Sequence, residues 1–113
     1  MEIVASIVDD LTKAKERAAR KVSARLTPIL KDMATTANWP SDIVFQLEVK
    51  VEDMTLRVDY PEAIKTRVEN LEYGDNSAPN AVIRPFLLRY EEQIGDIISQ
   101  ELSETLYELG AYA

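Results

Sequence analysis

The sequence predicts an α+β fold, a small antiparallel β-sheet built on a hairpin and packed against long N-terminal and C-terminal helices, with a short middle helix. Three observations predict it. Apolar residues recur every three or four positions from Val4 to Met33, apolar and polar residues alternate between Ile43 and Tyr60, and a second stripe with helical spacing begins after Pro85. The chain has 113 residues, which is the length of one domain, and 1–113 reads as a single domain without internal repeats.

Residues 1–34 read as a long helix through Val4, Ile7, Leu11, Ala14, Ala18, Val22, Leu26, Ile29 and Met33. At 1.5 Å per residue it would be about 50 Å long, more than a domain of this size needs to cover its own core, so part of it is expected to project. The stripe drifts out of a heptad register at Val22, which argues against a long regular two-stranded coiled coil. The segment ATTANWPSD, residues 34–42, breaks the pattern with Asn38, Pro40 and Ser41.

Residues 43–60 read as a β-hairpin. Ile43, Phe45, Leu47, Val49 and Val51 fall on one face, and Val44, Gln46, Glu48 and Lys50 on the other. After a turn at Glu52-Asp53, Met54, Leu56, Val58 and Tyr60 alternate with Thr55, Arg57 and Asp59. Pro61 opens a short helix, 61–73, carrying Ala63, Ile64, Val68 and Leu71, and Gly74 ends it. Residues 74–84 form a loop that starts in the Gly-Asp-Asn-Ser-Ala-Pro run. A last helix, 85–110, turns Leu87, Tyr90, Ile94, Ile98, Leu102, Leu106 and Leu109 inward and ends at Gly110. Gly95 lies inside it at a cost of about 1 kcal/mol relative to alanine, a sign of close packing or of a bend. A two-stranded sheet alone is marginal, so a third strand is expected, from Ala81–Arg84 or from a neighbouring subunit.

Composition excludes most chemistry. With no Cys and no His there are no disulfides, thiolates, Cys/His zinc sites, imidazole acid-base groups or His-containing triads. Glu91 and Glu92 are adjacent and point to different helix faces; Glu48 and Glu52 lie on a strand's polar face and at its turn. Asp75-Asn76-Ser77 reads as a turn former, not a cation site, and three glycines in the whole chain make no phosphate loop. The expectation is a protein with no catalytic residues, no cofactor and no metal.

No apolar run approaches the roughly 18 residues of a membrane span, and the start, MEIVASIVDD, has acids where a signal peptide has bases. Synthesis and residence in a reducing cytoplasm, or export by another route, are expected. Net charge is −7 and unevenly spread. Residues 1–40 hold seven Lys/Arg against five Asp/Glu, whereas 41–113 hold six against fifteen. The cluster Lys13, Lys15, Arg17, Arg20, Lys21 and Arg25 reads as a solvated helix face balanced by Glu16, Asp9 and Asp10, in preference to a nucleic-acid surface.

One constellation is left, LEYGDNSAPNAVIRPFL, residues 71–87. Physics alone gives six of its residues a structural reading: Gly74 as a positive-φ helix cap, Pro85 as a first helical residue, Tyr73 and Phe86 as core, and Arg84 as a bidentate partner of Glu72 that staples two helix ends. Glu72, Tyr73 and Gly74, followed by Arg84, Pro85, Phe86 and Leu87, resemble the E-Y/F-G and R-P-F-L signature of the small neck and tail-completion proteins of long-tailed bacteriophages, also described as minor tail or head-tail connector components. The order of elements is similar too. The chain departs from the family where ATTANWPSD replaces an Arg-rich P-x-R-T-G-x-L segment, and where Asp75 replaces a Thr after Gly74.

The resemblance implies a non-enzymatic virion protein of the head-tail junction, made in the host cytoplasm and assembled as a homo-oligomeric ring. Its implied partners are other copies of itself and neighbouring phage head-completion and tail proteins. DNA would at most pass through without specific binding, and no membrane is involved. The long first helix and the open edge of the hairpin are the surfaces expected to assemble. The competing expectation is a small cytoplasmic homo-oligomeric adaptor module with no virion role.

Overall fold

The computed structural model describes residues 2–52, 55–75 and 77–108. In chain order they form α1 (Glu2–Thr36), α2 (Ser41–Gln46), β1 (Glu48–Glu52), β2 (Thr55–Asp59), a 3-10 turn (Glu62–Ile64), α3 (Lys65–Tyr73), α4 (Ile83–Glu91) and α5 (Ile94–Glu108). The fold is α+β, with an antiparallel two-stranded sheet among the described residues. The molecule measures 62 × 24 × 20 Å with a radius of gyration of 17.5 Å, against about 13 Å for a compact chain of this length. The elongation follows from the length of α1.

α1 buries Ala14, Ala18, Val22, Leu26, Leu30 and Ala34, one residue in every four. Four residues overshoot one full turn by 40°, so this stripe winds round the helix and meets different partners along its length. α5 packs along it, with Arg25 and Glu101 3.7 Å apart across the contact, and Ala14 and Ala18 are small enough to let a neighbouring element come close. Farther along, β1 packs on α1. The winding also corrects the expected stripe: Leu30 and Ala34 are fully buried, whereas Ile29 and Met33 are only half-buried beside them. Pro28 lies inside α1 without ending it. Its ring is on the exposed side, while Leu26 and Leu30 anchor the turns on either side in the core.

The expected strand at 43–47 is a helix. The carbonyl of Pro40 accepts from the N–H groups of both Ile43 and Val44 at 3.0 Å, and Asp42 sits in the first turn of α2, where the dipole favours an acid. Helical spacing then buries Ile43, Val44 and Leu47 and leaves Phe45 79% exposed, where alternation had placed Phe45 in the core. The hairpin is therefore 48–59 and not 43–60. Val49 pairs with Val58, Val51 with Leu56 and Glu52 with Thr55, so the connection is 53–54, outside the described residues, and not 52–53. Val49 is fully buried and Val51, Leu56 and Val58 half-buried on one face.

Two further expectations are corrected. Ala81–Arg84 is not a third strand, because Val82 leads directly into α4. The helix expected over 85–110 begins at Ile83 and is broken after Glu91, and α5 starts at Ile94. The break has a packing reason. Phe86, Ile94 and Ile98 are all buried, but eight residues of continuous helix would set Phe86 and Ile94 about 80° apart. A turn closed by Gln93 N–H on the Tyr90 carbonyl at 3.1 Å brings both to the core. Gly95, with nothing within 4 Å of where a Cβ would lie, accompanies the bend and not a close contact. Leu109 and Gly110 lie outside the described residues. Among the described residues no helix is long and apolar enough to cross a membrane.

Candidate functional site

The segment 71–87 forms one corner between α3 and α4. α3 ends as the Gly74 N–H bonds to the Asn70 carbonyl at 2.9 Å, and Gly74 takes φ 85°, ψ 159°, a region open in practice only to glycine. A Cβ there would lie 2.9 Å from the Ser77 carbonyl oxygen and 3.1 Å from the Pro79 nitrogen. Gly74 is thus required twice, by its backbone angle and by the loop folded over it.

The loop then returns to the body of the protein through Asn80. Its N–H donates to the Leu71 carbonyl at 2.8 Å, its side-chain amide donates to the Ala37 carbonyl at 2.7 Å, and its own carbonyl accepts from Trp39 Nε1 at 2.9 Å. Trp39 is buried. These two residues fix the corner to the end of α1, and sequence reasoning did not single out either. The one available signal was the lone tryptophan directly before Pro40.

Glu72 is the centre of the corner. It is the single buried charged residue of the described core, 2% exposed. Its Oε1 accepts from the N–H groups of Val82 at 2.9 Å and Ile83 at 2.7 Å, and its Oε2 from the Arg84 N–H at 3.0 Å. The opening of an α-helix leaves N–H groups without intrahelical partners. Here Glu72 takes three, Pro85 has none to offer, and Phe86 N–H makes the first helical bond, to the Val82 carbonyl at 3.0 Å. Every orphan donor of α4 is accounted for. This corrects the expected role of Pro85, which is the third helical residue and not the first. Arg84 is helical although a residue before a proline favours extended backbone, and its N–H is held by Glu72.

Arg84 adds the charge partner. Its Nε donates to Glu72 Oε2 at 3.0 Å and its Nη2 to the Glu72 backbone carbonyl at 2.7 Å. One guanidinium thus joins side chain and main chain at the end of α3, in place of the expected two-oxygen fork. Burial opposes ionisation of Glu72, but the N–H groups of Arg84 and Val82, the Arg84 guanidinium and the Ile83 N–H outweigh it and hold the carboxyl below the usual carboxylate range. The Arg84 guanidinium carbon lies 4.4 Å from the centre of the Tyr73 ring. Tyr73 is 60% exposed, so it is a stacking platform for Arg84 and not core. Phe86 is core, fully buried with its ring 5.0 Å from that of Tyr90. Beside the corner runs a groove of about 370 Å³ between β2 and α3–α4, lined by Leu56, Val58, Tyr60, Val68, Ile83 and Leu87 among others.

The remaining candidates are placed as follows. Lys13, Lys15, Arg20 and Arg25 are exposed, and Arg17 and Lys21 half-buried. Arg20 faces a groove of about 620 Å³ between α1 and β1 together with Lys31 and Lys50. Lys31 is tied to the Phe45 carbonyl at 3.0 Å and lies over the Phe45 ring, and Lys50 pairs with Glu48 at 2.9 Å. Glu91 and Glu92 are exposed, and Glu52 bonds Arg57. Among the described residues no three acidic side chains converge as metal ligands do. Asp75 and Ser77 are exposed, and Asn76 lies outside the described residues. Comparison of the chain with protein-family models, with curated proteins and with solved structures finds no match.

Proposed function

We propose that the chain is a non-enzymatic virion protein of a phage head-tail junction, a neck or tail-completion component that works as part of a homo-oligomeric ring. One observation supports the reading above others: Glu72, Gly74, Arg84, Pro85 and Phe86, the residues of the neck-protein signature, act as one structural unit in this chain. Glu72 saturates the start of α4, Gly74 permits the loop, Arg84 ties the two helices, and Phe86 anchors the result in the core. A signature whose members serve one corner is what a shared fold would preserve. The elongated shape fits a subunit that reaches from one layer of an assembly toward the next. In this reading the chain carries no catalytic residue and no cofactor, its partners are its own copies and the adjoining head-completion and tail proteins, and its place is the virion.

The test is direct. Purified virions of the encoding phage should contain the chain by mass spectrometry, and the purified protein, alone or mixed with its head-completion or tail partner, should form rings under the electron microscope. Particles that lack the chain, together with a protein that stays free of both partners, would defeat the reading.

A further inference from the structure

The hairpin has two edges, and α1 occupies one of them. Val49 donates its N–H to Thr27 Oγ1 at 3.0 Å, and its carbonyl accepts from the Ser23 hydroxyl. In an antiparallel pair the N–H and C=O of one residue point to the same side and alternate along the strand. Val49 therefore faces α1, and Glu48, Lys50 and Glu52 face β2. By the register, Asp59, Arg57 and Thr55 face β1, which turns the backbone groups of Leu56 and Val58 outward. Among the described residues neither makes a hydrogen bond on that side. An open edge of this kind is a template for another strand.

The sequence of β2 says which strand fits. If Val58 is set against Val58 of a second copy, antiparallel, Arg57 falls opposite the second copy's Asp59, and Asp59 opposite the second copy's Arg57. On the other face Leu56 falls opposite the second copy's Tyr60, and the reverse pair repeats it. Both faces are then matched, opposite charges on the solvent side and apolar pairs on the core side, as stabilises a ladder. Arg57 and Asp59 already lie 2.8 Å apart within the strand, so the four groups would alternate in sign. Shifting the centre to Arg57 sets Arg57 against Arg57, and shifting it to Leu56 sets Arg57 against Thr55, which loses both charge pairs. On the core side, the half-buried Leu56, Val58 and Tyr60 border the groove shared with Val68, Ile83 and Leu87. The second copy's Leu56 and Tyr60 would lie over its mouth.

We propose that β2 pairs with the β2 of a second copy about a two-fold axis through Val58, so that two marginal hairpins become one four-stranded antiparallel sheet. The pairing does not rest on the head-tail reading. An isologous contact closes at two copies and leaves α1 and α5 for whatever else the chain joins.

The experiment is light scattering and sedimentation equilibrium on the full chain, with variants read beside it. Val58→Pro removes the outward N–H, a change that an edge strand tolerates, and also replaces a half-buried side chain, so circular dichroism reports whether the fold is kept. Arg57→Asp sets like charges against each other, and Arg57→Asp with Asp59→Arg restores opposite ones. The expected results are a wild-type dimer, a folded Val58→Pro monomer, dissociation at least roughly tenfold stronger for Arg57→Asp, and recovery in the double variant. A wild-type chain that stays monomeric at the highest concentration reached would overturn the proposal. So would a dimer indifferent to both Val58→Pro and Arg57→Asp. If Val58→Pro fails to fold, the charge reversal and its recovery decide alone.

Discussion

A buried carboxylate is costly unless its lone pairs are filled, and Glu72 fills its own with three backbone N–H groups and a guanidinium. Removing the carboxylate strands those donors at the start of α4, so Glu72→Ala should destabilise by about 2–4 kcal/mol. Arg84→Ala leaves the backbone bonds in place and the lost group was half-exposed, so it should cost only about 1 kcal/mol. Urea denaturation of both variants checks the ranking, and equal losses would show that the ion pair and not the cap holds the corner. The pH dependence follows from the same geometry. The folded carboxyl is held below its ordinary value, so its contribution is complete above the unfolded value of about 4.3 and is lost as pH falls through the folded one. Glu72→Gln should flatten that acid loss relative to wild type. Gly74→Ala combines a forbidden backbone angle with a contact to main-chain atoms, and should cost about 1–3 kcal/mol. At this scale the sequence was informative where a residue type has one physical use. Gly74 and the Glu72–Arg84 pair were legible for that reason. Trp39 and Asn80 were not, because their hydrogen bonds join segments 41 residues apart.

The elements show where local pattern misleads. IVFQLEVKV alternates as a strand should, yet its first half is α2, because a short apolar run fits either period and the N-terminal signals of Pro40, Ser41 and Asp42 decide between them. Asp42 serves the helix in a second way, bonding Arg67 of α3 at 2.8 Å; that hydrogen bond lowers its carboxyl and raises the guanidinium. The two readings of 43–46 agree on Ile43 and differ on Phe45. On a helix, Phe45→Ser removes an exposed ring and a surface cation-π contact and should change stability by within about 1 kcal/mol. Ile43→Ala empties a buried site and should cost about 2–5 kcal/mol. A strand would make both substitutions costly, so thermal or chemical denaturation of the pair separates the two. The break between α4 and α5 was legible only as a misplaced glycine, since the demand that both Phe86 and Ile94 reach the core exists only once α1 is in place. The long stripe of α1 was legible because its period is sustained, although the choice of Leu30 over Ile29 depended on which side β1 occupies.

At the scale of the whole molecule, shape and charge combine into a statement about DNA. Net charge is −7, and the cations that oppose it are dispersed or engaged. Lys31 and Lys50 are tied within the groove between α1 and β1, Arg25 faces Glu101, and Arg57 and Arg67 are paired with acids. Lys13, Lys15 and Arg20 remain exposed on α1, Lys65 on α3 and Arg89 on α4, whereas α4, α5 and the turn between them expose Glu91, Glu92, Asp96 and Glu104. Binding to a duplex draws its sequence-independent strength from Lys/Arg neutralising phosphates and weakens steeply with salt, and a few dispersed cations on a surface of opposite net sign supply little of it. In the proposed ring, a conduit wall built from such subunits would repel a passing duplex, over no more than roughly 8 Å at physiological salt, and would not retard it. The expected outcome of a titration of the assembled protein with double-stranded DNA at low salt is therefore no saturable binding. Affinity that rises steeply as salt is lowered, and that falls when Lys13, Lys15 and Arg20 are changed together to Glu, would overturn this and make the exposed face of α1 a phosphate-binding surface. Acidity that serves only solubility gives the same absence of binding. The two are told apart by reversing Glu91, Glu92 and Asp96 to Lys: if those acids line the passage, assembled rings should then hold DNA in a salt-sensitive way, whereas a dispersed solubilising charge should leave the titration unchanged.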